Sequence, residues 1–434
     1  MIRSKRAKHL SFFTFWLAIA AGLTVFFSQK PNDEELEQLR LKRNLEHRVT
    51  IAKALEEPLR TQTFPASLPL NLDGSEEAYS IEYTLDPVLQ AESELLLRRY
   101  RPDYGALFMM DAETGEVLAF ASFEKDAGGP VNLISRATYP SASVFKIVTA
   151  TAAVDAVGLS PSHTIRFNGG NYTLYKKNVM SDQITRWTRT ITLRDAFARS
   201  YNTAFGRLSL ENLSPEHINE YASRFMFNQS IPADFPVENG VAFIPTEKSY
   251  ELTEVASGFT KNNRMSPVQG AMIAAAVIND GRMVMPHMVK RLTNAEGQAI
   301  YEAEIIDNGS IMSADSAEKV RELMEETVTS GTSRRSFRPL IKDKNFRDLA
   351  VGGKTGHLTG DNPRGRVDWF VGYAASGSRR VAVAALTVNR EYWTVKSAHL
   401  GKSLFKKAFS PVLRNRDVSS APSVRSPGAP RRSR

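Results

Sequence analysis

Three kinds of hydrophobic pattern follow one another along this chain. The first is an uncharged run from Leu10 to Ser28, carrying Phe12, Phe13, Phe15, Trp16, Leu17, Ile19, Leu23, Val25, Phe26 and Phe27. As a helix of about 18–20 residues it would rise roughly 27–30 Å, enough to cross a bilayer core. The basic stretch from Arg3 to Lys8 then belongs in the cytoplasm and everything after Lys30 outside. A cleaved signal peptide is the rival reading. Ala18-Ile19-Ala20 would serve as its cleavage site, but apolar residues continue past it to Phe27. On either reading the rest of the chain is exported.

The second pattern, Asp33 to Glu57, is dense in Glu, Arg, Lys and Leu, with Leu41, Leu45, Ala52 and Leu55 near heptad spacing. A charged helical stalk fits it better than a dimerising coil, because polar residues occupy much of the seam. Pro58, Pro65 and Pro69 are expected to end the helix and mark a linker.

The third begins near Ser80 and is mixed. Ile81, Tyr83 and Leu85 alternate with polar residues, as do parts of 106–110 and 117–121, with Glu113-Thr114-Gly115-Glu116 as a hairpin turn between the last two. Helical periodicity covers 143–157, 193–210, 267–278 and 315–329. Strand patterns return at 367–375 and 380–387, and a helix follows at 397–409. Strands at both ends with helices between predict an α+β domain, its sheet closed by the two ends of the segment and a helical lobe inserted. The predicted organisation is a basic tip and transmembrane anchor at 1–30, stalk and linker at 31–79, a folded body at 80–410, and a disordered Ser-, Pro- and Arg-rich tail at 411–434.

Composition narrows the chemistry. Four basic residues before position 10, and six arginines against Asp417 from Arg414 onward, account for the net charge of +9. The body is therefore close to neutral, which argues against a nucleic-acid partner. With no cysteine there is no disulfide framework, cysteine nucleophile or Cys-ligated zinc, and the seven histidines show no metal-ligand spacing. Neither metal nor cofactor is expected.

Three short elements carry the candidate chemistry: Ser143-Val144-Phe145-Lys146, Ser200-Tyr201-Asn202 and Lys354-Thr355-Gly356. Ser-x-x-Lys also occurs at Ser122, Ser316 and Ser403, and Ser143 taken alone reads equally well as a helix N-cap. On a helix, however, residues three apart share a face. A partly desolvated Lys146 near other cations would lose its proton readily and could act as base toward Ser143. Tyr139-Pro140 places Ser143 in the first turn of its helix, where free N–H groups favour an oxyanion. A phosphate-binding loop ending at Gly353-Lys354-Thr355 is excluded, because Asp348 stands where it needs glycine.

Taken together and in order, these elements resemble the three-motif signature of penicillin-binding proteins and serine β-lactamases. The likeness runs over most of Tyr83 to Phe409. It includes Tyr83-Thr84-Leu85-Asp86, Arg264-Met265-Ser266-Pro267 and Val367-Asp368-Trp369-Phe370. The resemblance implies a penicillin-binding transpeptidase fold: an antiparallel sheet flanked by helices, with an inserted all-helical lobe. It also implies a D,D-transpeptidase acting on peptidoglycan stem peptides and inhibited by β-lactams. In that scheme Ser143 is the nucleophile and Lys146 its base. Ser200 and Lys354 relay a proton, Asn202, Thr355 and Gly356 hold substrate, and the backbone N–H groups of Ser143 and His357 form the oxyanion site. Ser200 and Thr355 could instead be structural hydroxyls.

Two departures stand out. Ala142 replaces the usual glycine before the serine, which matters if that backbone needs positive φ, and His357 replaces the usual threonine after Gly356. A D,D-carboxypeptidase, a β-lactamase and a non-catalytic wall scaffold are the alternatives. A separate glycosyltransferase is the expected partner, at the outer face of the cytoplasmic membrane.

Overall fold

The computed structural model describes residues 32–410, apart from Asp73, Gly128 and Pro130. The expected anchor at 10–28 and the tail from Pro411 lie outside these residues. No helix among the described residues is long and apolar enough to cross a membrane.

The described residues divide into two units, one ending at Glu46 and one beginning at His47. In the first, helix α1 (Asp33–Arg60) begins at an Asn32 cap. The Asn32 side chain accepts from the Glu35 N–H at 2.8 Å, while the Glu35 carboxylate accepts from the Asn32 N–H at 2.9 Å.

From His47 onward α1 belongs to the second unit and is no free stalk. Arg48, Ile51, Leu55 and Leu59 are buried at helical spacing. The helix runs through Pro58 to Arg60 rather than stopping at the proline. The folded body also starts before Ser80. Strands β1 (Ser67–Leu72) and β2 (Ser75–Tyr83) form an antiparallel hairpin in the segment expected as linker. Pro69 is tolerated because β1 is an edge strand, and Leu68, Leu70 and Leu72 supply its buried face.

Asp86 then caps helix α2 (Pro87–Tyr100), its carboxylate accepting from the Val88 and Leu89 N–H groups at 2.8 and 3.0 Å, with Pro87 at the first helical position. Strands β3 (Tyr104–Asp111) and β4 (Val117–Glu124) follow, joined by the expected turn, in which the Asp111 side chain accepts from the Glu113 and Thr114 N–H groups. A 3₁₀ turn at Ala142–Phe145 continues into α3 (Lys146–Thr151).

The helix expected over 193–210 is two helices, Leu193–Ala198 and α4 (Asn202–Asn212). The break exists because Ser200 adopts φ 59°, and the N–H of Asn202 turns out to the Asn171 carbonyl at 2.8 Å. Further on come α5 (Tyr250–Ser257), α6 (Pro267–Ile278), strands β5 (Val289–Thr293) and β6 (Ala299–Glu302), and α7 (Ala314–Thr329). The described residues end in three long strands, β7 (Ala350–Asp361), β8 (Arg364–Ser376) and β9 (Arg379–Asn389), and helix α8 (Ser397–Ala408).

The main sheet is antiparallel with order β7-β8-β9-β3-β4, so the two ends of the domain close it as the sequence pattern predicts. Helix α6 is buried on all sides and packs on one face, against β3, β8 and β9. On the other face α2, α8 and Arg334–Ile341 enclose a core that includes Leu97, Phe337, Phe370, Val383 and Phe405. A second sheet, β1-β2-β5-β6, also involves the early hairpin. The inserted lobe is mainly but not wholly helical, since Thr164–Phe167 pairs with Arg189–Thr192.

Candidate active site

The three motifs meet at the seam between the sheet and the inserted lobe. Ser143 is carried by the 3₁₀ turn, which packs against β7 at Gly356. A Cβ at that glycine would stand 3.2 Å from Val144 Cγ2 and 3.3 Å from Ala142 Cβ, so its absence lets strand and turn approach. This brings the amides of Ser143 and His357 onto adjoining segments. Ala142 does adopt positive φ, 47°, the condition under which alanine is the costlier choice.

Lys146 is fully buried. Its Nζ lies 3.0 Å from Ser143 Oγ and 2.7 Å from Asn202 Oδ1, and also bonds the Ser257 carbonyl. The Asn202 amide is oriented by its own Nδ2, which donates to the Tyr172 carbonyl at 2.8 Å, so Oδ1 must face the lysine. Asn202 Oδ1 and the Ser257 carbonyl can only accept. A neutral amine has two N–H groups and one lone pair; with both N–H groups committed to these acceptors, the lone pair faces the Ser143 hydroxyl.

The electrostatics favour that neutral form. Burial, and then the nearby Lys354 ammonium, hold Lys146 well below the ordinary lysine range. Lys354 is buried as well, and desolvation lowers it to about 7. Its Nζ lies 3.0 Å from Ser200 Oγ and 2.9 Å from the Thr355 carbonyl. Among the described residues, neither lysine has a carboxylate partner. Both face aromatic rings instead, Lys146 at 5.4 Å from the Phe205 centroid and Lys354 at 5.6 Å from that of Phe197.

Every candidate residue therefore falls in one cluster. The other Ser-x-x-Lys serines do not: Ser122 bonds the Val131 carbonyl, Ser316 bonds Ser313, and Ser403 bonds the His399 carbonyl within α8.

Three contributions escape the motif reading. The Ser257 carbonyl is aimed by the end of α5, where Gly258 takes φ 65° and a side chain would run into the Ala142 carbonyl. Thr332 Oγ1 meets Thr355 Oγ1 at 2.6 Å. Asp368 lies directly across the β7–β8 ladder from His357; its buried carboxylate contacts the imidazole and accepts from the Ser397 N–H at 2.7 Å. Only Asp368 carries a signal in the sequence, and reading it requires the strand register.

Comparison with known proteins places the chain in a family. The family described as "Penicillin binding protein transpeptidase domain" matches residues 105–410. Among curated proteins, Stage V sporulation protein D of Bacillus subtilis is 22% identical over 299 residues, which is 65% of this chain and 44% of that protein. Peptidoglycan D,D-transpeptidase PbpA of Mycobacterium tuberculosis is 25% identical over 349 residues, 71% of this chain and 67% of that one. Among solved structures, the D,D-transpeptidase domain from Eggerthella lenta gives a TM-score of 0.62 at 23% identity, covering 81% of this chain and 85% of its own. Penicillin-binding protein A of M. tuberculosis gives 0.63 at 21%, with 76% and 83% covered. These structural likenesses bear on the fold alone. With the family match spanning most of the folded body, the chain belongs to the penicillin-binding protein transpeptidase domain family.

Proposed function

We propose that this protein is a serine D,D-transpeptidase that cross-links peptidoglycan stem peptides and is acylated by β-lactams. The observation that carries the reading is the buried, carboxylate-free Lys146, with its two acceptors fixed and Ser143 Oγ 3.0 Å away.

Lys146 takes the hydroxyl proton as Ser143 Oγ attacks the carbonyl between the two terminal D-alanines. The oxyanion lies between the amides of Ser143 and His357, each such donor contributing about 3 kcal/mol in comparable sites. As the C–N bond breaks, Ser200, backed by Lys354, delivers a proton to the departing D-alanine. Asn202 holds the peptide amide and Thr355 the terminal carboxylate. The amine of a neighbouring stem then attacks the ester carbonyl, forming the new amide and returning Ser143 to its hydroxyl. The uncharged run at Leu10–Ser28 would hold the body at the outer face of the cytoplasmic membrane, with the glycan supplied by a separate glycosyltransferase.

Labelling the detergent-extracted full chain with a fluorescent penicillin tests this, beside a Ser143→Ala variant. A long-lived label lost in the variant is expected. A label that hydrolyses rapidly would make the protein a β-lactamase, and no label on folded protein would overturn the enzymatic reading.

A further inference from the structure

We infer that the inserted lobe carries a glycan platform: the loop from Asn168 to Thr188 seats the amino-sugar backbone of the polymer whose stems enter the site. The inference rests on the peptidoglycan reading proposed above and extends it from peptide to sugar.

The loop closes on itself. Its ends are the paired strands Thr164–Phe167 and Arg189–Thr192. At its base Asn168 Nδ2 donates to the Gln183 carbonyl at 2.9 Å, and Oδ1 accepts from Thr188 Oγ1 at 2.7 Å. Leu174 and Val179 are buried and hold the loop to the lobe. Its other large apolar residues are not buried. Five of the fifteen exposed large apolar side chains among the described residues fall between Tyr172 and Trp187. Ile184 and Trp187 are each 71% exposed and Tyr175 is 60% exposed. Such a concentration marks a surface that something covers.

Polarity and charge specify the cover. Exposed Lys176, Lys177 and Arg186 form no salt bridge among the described residues, and the loop's single acid, Asp182, is held by Arg207 at 2.6 Å. A cavity of about 300 Å³ opens beside Ile184, with Asn168, Ser181, Gln183 and Thr188 in its lining. Rings set among amides, hydroxyls and cations match a polymer whose sugars have apolar faces and hydroxyl and acetamido edges, and whose stems carry carboxylates. A bilayer fits worse. From Ser181 to Thr188 the backbone is neither helix nor strand, and hydrocarbon would strand its N–H and C=O groups.

The inner edge of the same loop builds the site. The carbonyls of Asn171 and Tyr172 accept from the N–H and Nδ2 of Asn202 at 2.8 Å each, and Thr203 Oγ1 donates to the Gly170 and Thr173 carbonyls at 2.7 Å each. In a stem pentapeptide four residues separate the sugar from the scissile carbonyl, about 14 Å when extended, and Tyr175 lies no more than about 11 Å from Tyr172. A stem seated at Ser143 can therefore reach a sugar on the rim.

Binding of the detergent-extracted full chain to uncross-linked glycan strands stripped of their stems tests this, since no peptide contact can contribute. The parent is expected to bind. Tyr175→Ala with Trp187→Ala should weaken that binding about tenfold, while Trp187→Tyr keeps most of it. Thermal unfolding should not move in either variant, which a structural role for the rings would not allow. No binding by the parent, or equal binding by the double variant, overturns the platform. Self-association of the parent that the double variant loses and glycan leaves untouched would make a second copy the cover, and overturns it too. Penicillin labelling at Ser143 is scored on the same samples. Strand binding without labelling sinks the enzymatic reading alone, and labelling without strand binding sinks the platform alone.

Discussion

Two regions of this molecule bury charged groups, and they handle the cost in opposite ways. Around Arg48 the charge is compensated. Its guanidinium donates to the carbonyls of Pro232 and Glu304 at 3.3 and 2.6 Å. Nearby Asp234, fully buried, accepts from the N–H groups of Met288 and Val289 at 2.8 Å each. Burial raises Asp234 to about 6, with Arg48 and these hydrogen bonds pulling it back, and burial drives His287 down to about 3. Around Ser143, by contrast, two buried lysines sit among hydroxyls, one amide and carbonyls, with no acid bonded to either among the described residues. A carboxylate there would fix the ammonium form and leave no base. The first cluster ties α1 to the body; the second keeps an amine able to change its protonation.

The sharpest way to break the comparison is Lys146→Met. Removing a buried amine held neutral should cost penicillin acylation about 10³-fold while leaving the denaturant midpoint nearly level, read by stopped-flow labelling and urea titration. Arg48→Met should do the reverse. It takes the donor from the Pro232 and Glu304 carbonyls and removes the cation that steadies Asp234, a loss of about 1–3 kcal/mol, whereas acylation per folded molecule should hold.

The pH dependence of the parent comes next in size. Lys146 must be neutral to act, so acylation rises as pH climbs through its lowered pKa, and it should reach a plateau far below the ordinary lysine value. Stability follows a linked sign. Lys354, lowered to about 7, binds fewer protons folded than unfolded between about 7 and 10, so its contribution grows with pH there. Asp234, raised to about 6, binds more protons folded between about 4 and 6, so its contribution is lost as pH rises across that window. Measuring unfolding free energy across both windows separates the clusters. The smallest effect is Ala142→Gly, expected to stabilise by roughly 1 kcal/mol through relief of the left-handed backbone.

What could be read from the sequence was what is local. Ser143 and Lys146 lie one turn apart, Lys354 to Gly356 fall on one strand, and the alternation in β3, β4, β8 and β9 marks the sheet. The break at Ser200 escaped because the apolar period runs on through it, while the turn is made by bonds to the distant 170–173 segment. The β1–β2 hairpin escaped because Pro69 reads as a breaker unless the strand is known to lie at an edge. The Ser257 carbonyl has no residue type to announce it, and Asp368 gains meaning only when the ladder sets it opposite His357.

The strand order also bears on how the protein is made. β9, the middle strand of the five, is the last strand among the described residues, so the β3–β4 hairpin waits for its neighbour in the sheet from Glu124 to Arg379. Such high contact order makes for slow folding, and the sheet cannot close before β9 has been made. A chain stopped before Arg379 would hold Ser143, Lys146, Ser200 and Lys354 yet leave β3 without the neighbour that seats it. The arrival of β9, rather than of any motif residue, therefore completes the site.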